Sequence, residues 1–369
     1  MEASSQRYAL AEKIHQGRSG SVYRAVRKAD GHKVVLRVLD GNDPLAGKIE
    51  RLKHELDLRS TLHDLPAVEP LALSTLNGAP ALELEDFAGE SLERLVTAPL
   101  SLGAFLPLAV SVTAAVGDIH SRGLIHKDLN PGSILFDPKA NRVKLANFGA
   151  ASRVAREQTA AGPERLLEES LPYVSPELTG RMNRAVDSRS DLYSLGITYY
   201  QLLTGRLPFT ASDAIGWVHC HVARKPAHPA RYREGLPSVL SEIVLKLLAK
   251  VPDDRYQSAA GLQRDLERCL RQWRESGNIT PFALGADDTS DRFLVPQTVY
   301  GREAESAALR EAFERVAATG QAELVLVSGP SGAGPGPVEG RASGSNRTAD
   351  KHRLWARRSS DRIPGWPGT

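Results

Sequence analysis

Four short stretches carry residues whose types and spacing suit chemistry. In "HQGRSGSVYRA" (residues 15–25), Gly17 and Gly20 lie between two strand-like runs. Glycines there let the backbone close over phosphate oxygens without a side chain intervening, although a glycine pair alone also suits a plain hairpin. In "SGPSGAGPG" a phosphate loop begins and then fails. Pro335 and Gly336 stand where Lys and Ser/Thr would meet phosphate and magnesium. The stretch "WVHCHVARKPAHP" offers three His and one Cys, without the second ligand pair of a zinc site. In "VKLANFGAAS" an apolar run ends at Asn147, which presents one neutral oxygen; magnesium is held mainly by carboxylates and phosphates.

These residues need elements to position them. Residues 8 to about 95 read as short strands and one helix. "KVVLRVL" is β-branched, "IERLKHELDLRSTL" has helical apolar spacing, and "PALELEDF" alternates. Residues 100–275 are mostly helical, interrupted by a loop-rich segment at 121–181. A strand-rich lobe followed by a helical lobe is expected. Residues 276–297, polar with scattered Gly and Pro, read as a linker. A helix and a strand follow within 298–334, and from Pro335 to 369 periodicity gives way to a disordered composition.

The chain of 369 residues, 41% of them apolar, is long enough for a large core. Its formal charge is +3, but from Pro335 onward seven Lys/Arg face three Asp/Glu. The body is therefore close to neutral, which gives no signal for nucleic acid. The most apolar stretch, "LSLGAFLPLAVSVTAAVG", is interrupted by Gly103, Pro107 and Gly117 and reads as a buried helix, not a membrane span. Cys220 and Cys269 fit reduced thiols, and a cytoplasmic location is expected.

In order and spacing, "LIHKDLNPGSILFD", "VKLANFGA", "YVSPE" and "DLYSLG" resemble the protein kinase fold, from about Tyr8 to Trp273. The resemblance implies a two-lobed α+β fold over 8–275. More narrowly, "SPELTGRMNRAVDSRSDLYSLGITYYQLLTGRLPF" resembles the amino-terminal kinase-like domain of large bacterial signalling proteins. In those, an AAA-type ATPase module follows, often with sensor histidine kinase domains. "VYGREAE" through "VSGPSGAG" looks like the truncated opening of that ATPase module, over 298–334. The tail, 335–369, then reads as out-of-frame coding or as a natural basic extension.

By resemblance, Asp128 is the catalytic base that orients a substrate hydroxyl and accepts its proton. Lys127 keeps the positive charge of the family's arginine, and Asn130 replaces a lysine. ATP is the implied ligand, contacted by Gly17, Gly20, Val22, Val35, Arg37, Glu55, Glu85, Phe87, Ser133 and Asn147. Glu85 to Ala88 form the hinge that faces adenine, behind Leu84. His126 and Asp191 pin the catalytic loop, and Glu177 pairs with Arg255. Ser170, three residues before Tyr173, points to Ser/Thr rather than Tyr kinase ancestry.

Three positions depart from the family's pattern. Arg37 replaces the lysine that reaches the α- and β-phosphates and pairs with the helix glutamate, here Glu55. Guanidinium and ammonium are not interchangeable at a tight site. Ser133 and Asn147 replace the two metal ligands, so bound Mg2+ is in question. Lys33, on the same strand face as Val35, is a substitute charge or a solvated strand end. Two functions follow from the sequence: a nucleotide-binding pseudokinase that senses or docks an unidentified protein partner, or an active, atypical Ser/Thr kinase.

Overall fold

Alternation sets the first sheet. In β3 (Lys33–Val38) the side chains of Val34, Leu36 and Val38 are buried, while Lys33, Val35 and Arg37 belong to the opposite face. The computed structural model describes residues 7–17, 20–39, 45–95, 98–153, 168–182, 184–288, 311–312 and 314–315. Strands β1 (Tyr8–Gly17), β2 (Gly20–Arg27), β3, β4 (Pro70–Leu76) and β5 (Ala79–Glu85) form an antiparallel sheet in the order β1-β2-β3-β5-β4. One face gathers Tyr8, Ala25, Val34, Leu36, Val38, Leu76 and Ala81. On the other, Val35 packs with Leu52, Leu82, Leu84 and Ala146, beneath helix α1 (Leu45–Asp57). Arg37 belongs to this second face.

Gly17 pairs with Gly20 where β1 meets β2. Gly20 has φ +146°, and a Cβ there would lie 2.1 Å from the Val38 carbonyl oxygen. Only glycine fits so close to the next strand.

A short helix, α2 (Arg59–Leu62), follows α1, and a bridge between Ala67 and Leu145 leads into the second lobe. Small sheets there pair β6 (Glu90–Ser91) with β8 (Ile134–Asp137) and β9 (Arg142–Leu145), and β7 (Leu124–Ile125) with β10 (Ser152–Arg153). Helix α3 (Leu102–Ser121) is long and apolar enough to cross a membrane by composition. Here it is a core helix: Phe105, Leu106, Ala109, Val112 and Val116 are buried, and Phe105 meets Tyr199 edge-on at 5.6 Å. Helix α4 (Arg189–Thr204) is apolar or internally hydrogen-bonded on nearly every side, and fifteen of its residues are buried. Helices α5 (Ala214–Val222), α6 (Ser238–Leu247) and α7 (Ala259–Ser276) complete this lobe. The architecture is the two-lobed α+β arrangement expected.

The "WVHCHVARKPAHP" stretch supplies α5. His221 is wholly buried, its Nε2 donating to the Leu171 carbonyl at 2.9 Å and its Nδ1 3.1 Å from the Tyr193 hydroxyl. Burial, assisted by the Lys250 charge, pushes this imidazole down to about 3 from 6.5, against the opposing effect of the Leu171 bond. Unfolding frees the ring to take a proton, so His221 contributes stability above pH 6.5 that is lost as pH falls toward 3. At pH 5 the loss is about 2 kcal/mol relative to pH 7. His221→Gln, which keeps one donor and one acceptor without titrating, is expected to flatten the pH dependence of urea unfolding between pH 7 and 5 by that amount. An unchanged slope would remove His221 as its source.

The stretch 277–288, which sequence composition assigns to a linker, lies against α7. Ile279 is buried, Phe282 and Leu284 pack on the main core, and Arg268 lies over the Phe282 ring at 4.2 Å. Ile279, Phe282 and Leu284 follow neither a helical nor a strand period, so they leave no helix or strand signature. Most of the ATPase-like segment 298–334, and all of the tail, lie outside the described residues.

Candidate functional site

Arg37 ties three elements together. From β3 its Nη2 donates to Glu55 Oε2 on α1, and its Nη1 donates to Asn147 Oδ1 just after β9. Glu55 is buried, and Arg37 keeps 18% of its side chain exposed. A planar guanidinium can serve two acceptors in this way, whereas an ammonium has no fixed fork. Asn147 has φ +69°, a left-handed conformation that asparagine tolerates better than most residues. A 3₁₀ turn, Phe148–Ala150, follows, with Phe148 buried against the His126 ring at 4.6 Å. From α1, His54 Nε2 donates to the Ala151 carbonyl at 2.6 Å. Helix α1 is thus tied to Asn147 through Arg37 and, just past the Asn-Phe-Gly turn, directly to Ala151.

The loop between β7 and β8 is held by Asp191 at the start of α4. Its carboxylate accepts from the amides of His126 and Lys127, each at 2.8 Å, and lies 2.8 Å from His120 Nε2. Burial pushes the Asp191 carboxyl up, but His120, the His126 charge and the amides more than offset this, leaving it below the ordinary range. These bonds fix Lys127, at φ +66°. His126 Nε2 donates to the Ala146 carbonyl at 2.9 Å, joining the loop to the residue before Asn147.

Within that loop Asn130 Nδ2 donates to the Asp128 carbonyl at 3.0 Å and reaches Asp128 Oδ1 at 3.3 Å. Asn130 Oδ1 accepts from the Gly132 and Ser133 amides. The Ser133 hydroxyl is fully buried, lying 3.1 Å and 3.0 Å from the Asp128 and Asn130 carbonyls and accepting from the Asn130 amide at 3.0 Å. It is therefore turned into the loop. Of the two side chains proposed to meet a metal, Ser133 serves the loop and Asn147 serves Arg37.

Val22 lies opposite Arg37, and Val35 opposite Leu84, in the sheet register. Glu85 ends β5 with its amide bonded to the Glu69 carbonyl at 3.0 Å. Its carboxylate accepts from the Glu69 amide at 3.0 Å and from Lys144 Nζ. Arg24 Nε donates to Asp86 at 3.0 Å. Phe87 is buried, and a Cβ on Gly89 would come within 2.4 Å of its ring, so glycine is required there. Lys33 is exposed at the start of β3, paired with Val26.

Below the loop, Arg255 donates to both oxygens of Glu177, at 2.7 and 2.9 Å, and the Ser190 hydroxyl adds a third bond at 2.7 Å. Burial pushes the Glu177 carboxyl up, and Arg255 outweighs it, so the carboxyl titrates below its usual range. Sequence reasoning missed His54, His120, Arg24 and Lys144. Each acts through a partner 62 to 97 residues away in sequence, apart from Lys144 at 59, and no local pattern marks such contacts.

Residues 8–266 match the protein kinase domain family. The serine/threonine-protein kinase Pkn1 of Myxococcus xanthus is 30% identical over 271 residues, 72% of this chain and 38% of Pkn1. PknB of Mycobacterium tuberculosis, another serine/threonine-protein kinase, is 34% identical over 191 residues, 51% of this chain and 30% of PknB. Hybrid signal transduction histidine kinase G of Dictyostelium discoideum is 30% identical over 324 residues, 64% of this chain and 9% of that protein. The chain thus spans from about a tenth to two fifths of the length of these curated relatives. With the sheet, the loop held by Asp191 and the Glu177–Arg255 pair all in this order, the chain belongs to the protein kinase family, with a domain of the serine/threonine type.

Proposed function

We propose that this domain is a signalling module that binds nucleotide with little dependence on magnesium and transfers phosphate weakly or not at all. The observation that carries this reading is the Arg37 guanidinium bonded at once to Glu55 and Asn147. Magnesium needs hard oxygen ligands in octahedral array. The side-chain oxygen of Asn147 is neutral and already accepts from a cation, and the Ser133 hydroxyl is consumed within its loop. This donor set does not fit magnesium. Instead, the guanidinium supplies fixed positive charge next to the position expected for nucleotide phosphates, while Glu85 to Ala88 provide the adenine-facing edge.

The second reading, an active atypical kinase, draws on the geometry around Asp128. Its carbonyl and carboxylate are held by Asn130, and Phe148 packs under His126 as one assembled unit. The protein acted on or docked is then a polypeptide carrying a hydroxyl. On this proposal the stretch 298–334 opens an ATPase module, and the protein works in the cytoplasm.

Nucleotide binding to the full chain, followed by thermal shift and calorimetry with magnesium and then with EDTA, separates these readings. The ATP dissociation constant is expected to change by less than about threefold. ATP binding that disappears in EDTA would show that another group recruits the metal and would favour the active kinase.

A further inference from the structure

The close approach of residues 277–288 to the start of α7 has a specific chemistry. Asp288 accepts from the Gln257 amide at 2.6 Å, the Ser258 amide at 3.1 Å and the Ser258 hydroxyl at 2.8 Å. Ser258 is itself the N-cap of α7, accepting from the Gly261 amide at 3.0 Å. A carboxylate at a helix N-terminus is favoured by the dipole and by the free amides there. Three residues earlier the Gly285 amide donates to Asp265 Oδ2 at 2.8 Å, which also takes the Tyr256 hydroxyl at 2.6 Å. Arg264 donates to the Asp287 carbonyl. Ile279, Phe282 and Leu284 fill the apolar side.

The segment also reaches the anchor of the loop that ends at Glu177. Gln257, whose amide Asp288 holds, accepts from Arg189 through Oε1 at 2.8 Å and donates to the Arg255 carbonyl at 2.7 Å. Arg189 holds Asp187 and Asp253, and Arg255 holds Glu177 and the Arg189 carbonyl. A continuous hydrogen-bonded web therefore runs from Asp288 to Glu177.

We propose that residues 277–288 are a strap belonging to the kinase domain, and that its docking state is coupled to the Glu177 anchor through Gln257, Arg189 and Arg255. Whatever follows residue 288 in the chain is attached through this strap. A load or partner acting on the later residues can then bias the segment that ends at Glu177, without touching the nucleotide site. This inference does not depend on whether the site transfers phosphate.

Gly261 provides the decisive variant. A Cβ there would lie 2.2 Å from Asp288 Oδ1 and 2.4 Å from its carboxyl carbon, so an alanine and a docked Asp288 exclude each other. Alanine otherwise favours a helix over glycine. Hydrogen exchange on the full chain is the readout, comparing wild type with Gly261→Ala and, as a milder second variant, Arg264→Ala. Gly261→Ala is expected to speed exchange of the Gln257, Ser258 and Gly285 amides at least tenfold, and that of residues 184–190 at least threefold. Arg264→Ala is expected to change both regions in the same direction by less. Strap amides already exchanging at free-peptide rates in wild type, or unchanged by Gly261→Ala, would overturn the strap. Strap release with residues 184–190 unaffected would overturn the coupling.

Discussion

Full-chain protein carrying Arg37→Lys, Ser133→Asn and Asn147→Asp together is expected to autophosphorylate with magnesium-ATP at about 100 to 1,000 times the wild-type rate. Each tenfold corresponds to roughly 1.4 kcal/mol of barrier, and phosphoryl transfer draws most of its catalysis from charge placed around the phosphates. The geometry makes the three changes interdependent. Asn147→Asp alone puts a carboxylate where Arg37 already donates, so the new charge pairs with the guanidinium and is drawn away from a metal. Arg37→Lys alone loses the fork that spans Glu55 and Asn147. Single substitutions are therefore expected to give less than a tenth of the combined gain, a non-additivity typical of side chains in direct contact. Asp128→Ala added to the triple variant should abolish the acquired activity. Strong phosphotransfer by the wild-type chain, lost on Asp128→Ala, would sink the pseudokinase proposal.

The strand period and the order of motifs made much of this architecture legible beforehand. Val34, Leu36 and Val38 alternate with Lys33, Val35 and Arg37, and this period of two puts Arg37 on one face with Lys33 and Val35, while the pairing of that face with the helix glutamate is what the family resemblance implies. Its link to Asn147, 110 residues away, is a tertiary event that no local window contains. Ser133 shows the complementary limit. Its position in the loop motif suggests a weak metal ligand, but a short hydroxyl on a tight loop bonds the backbone carbonyls beside it, and so it serves the loop. The strap was obscured for another reason. Its polar and Gly-containing composition is that of a linker, and the residue that docks it, Asp288, answers to a glycine 27 positions earlier. Gly261 itself looks like a helix defect until that neighbour is seen.

Arg255→Met is expected to be the most damaging single substitution of the charged groups, lowering folding stability by about 3–5 kcal/mol. Arg255 and Glu177 are both essentially inaccessible, so removal of the guanidinium leaves a carboxylate buried without its counter-charge. It also strips donors from the Ala249, Arg189 and Lys250 carbonyls, each of which then bears its own desolvation cost. Glu177→Gln should cost less, because an amide oxygen still accepts from Arg255 and from the Ser190 hydroxyl. The pair Arg255→Met with Glu177→Leu should be less destabilised than Arg255→Met alone, since no unpaired charge remains. The dependence on pH distinguishes the pair from simple packing. The Glu177 carboxyl has its folded pKa below the ordinary 4.5, so its contribution is present above pH 4.5 and fades as pH falls toward the folded value. The stability gap between wild type and Glu177→Gln should therefore narrow below pH 4.5, in urea titrations run at successive pH values. A gap that stays constant down to pH 3, or an Arg255→Met cost below about 1 kcal/mol, would mean that apolar packing around Tyr193 and Tyr256, and not the ion pair, holds the segment ending at Glu177 to the helical lobe.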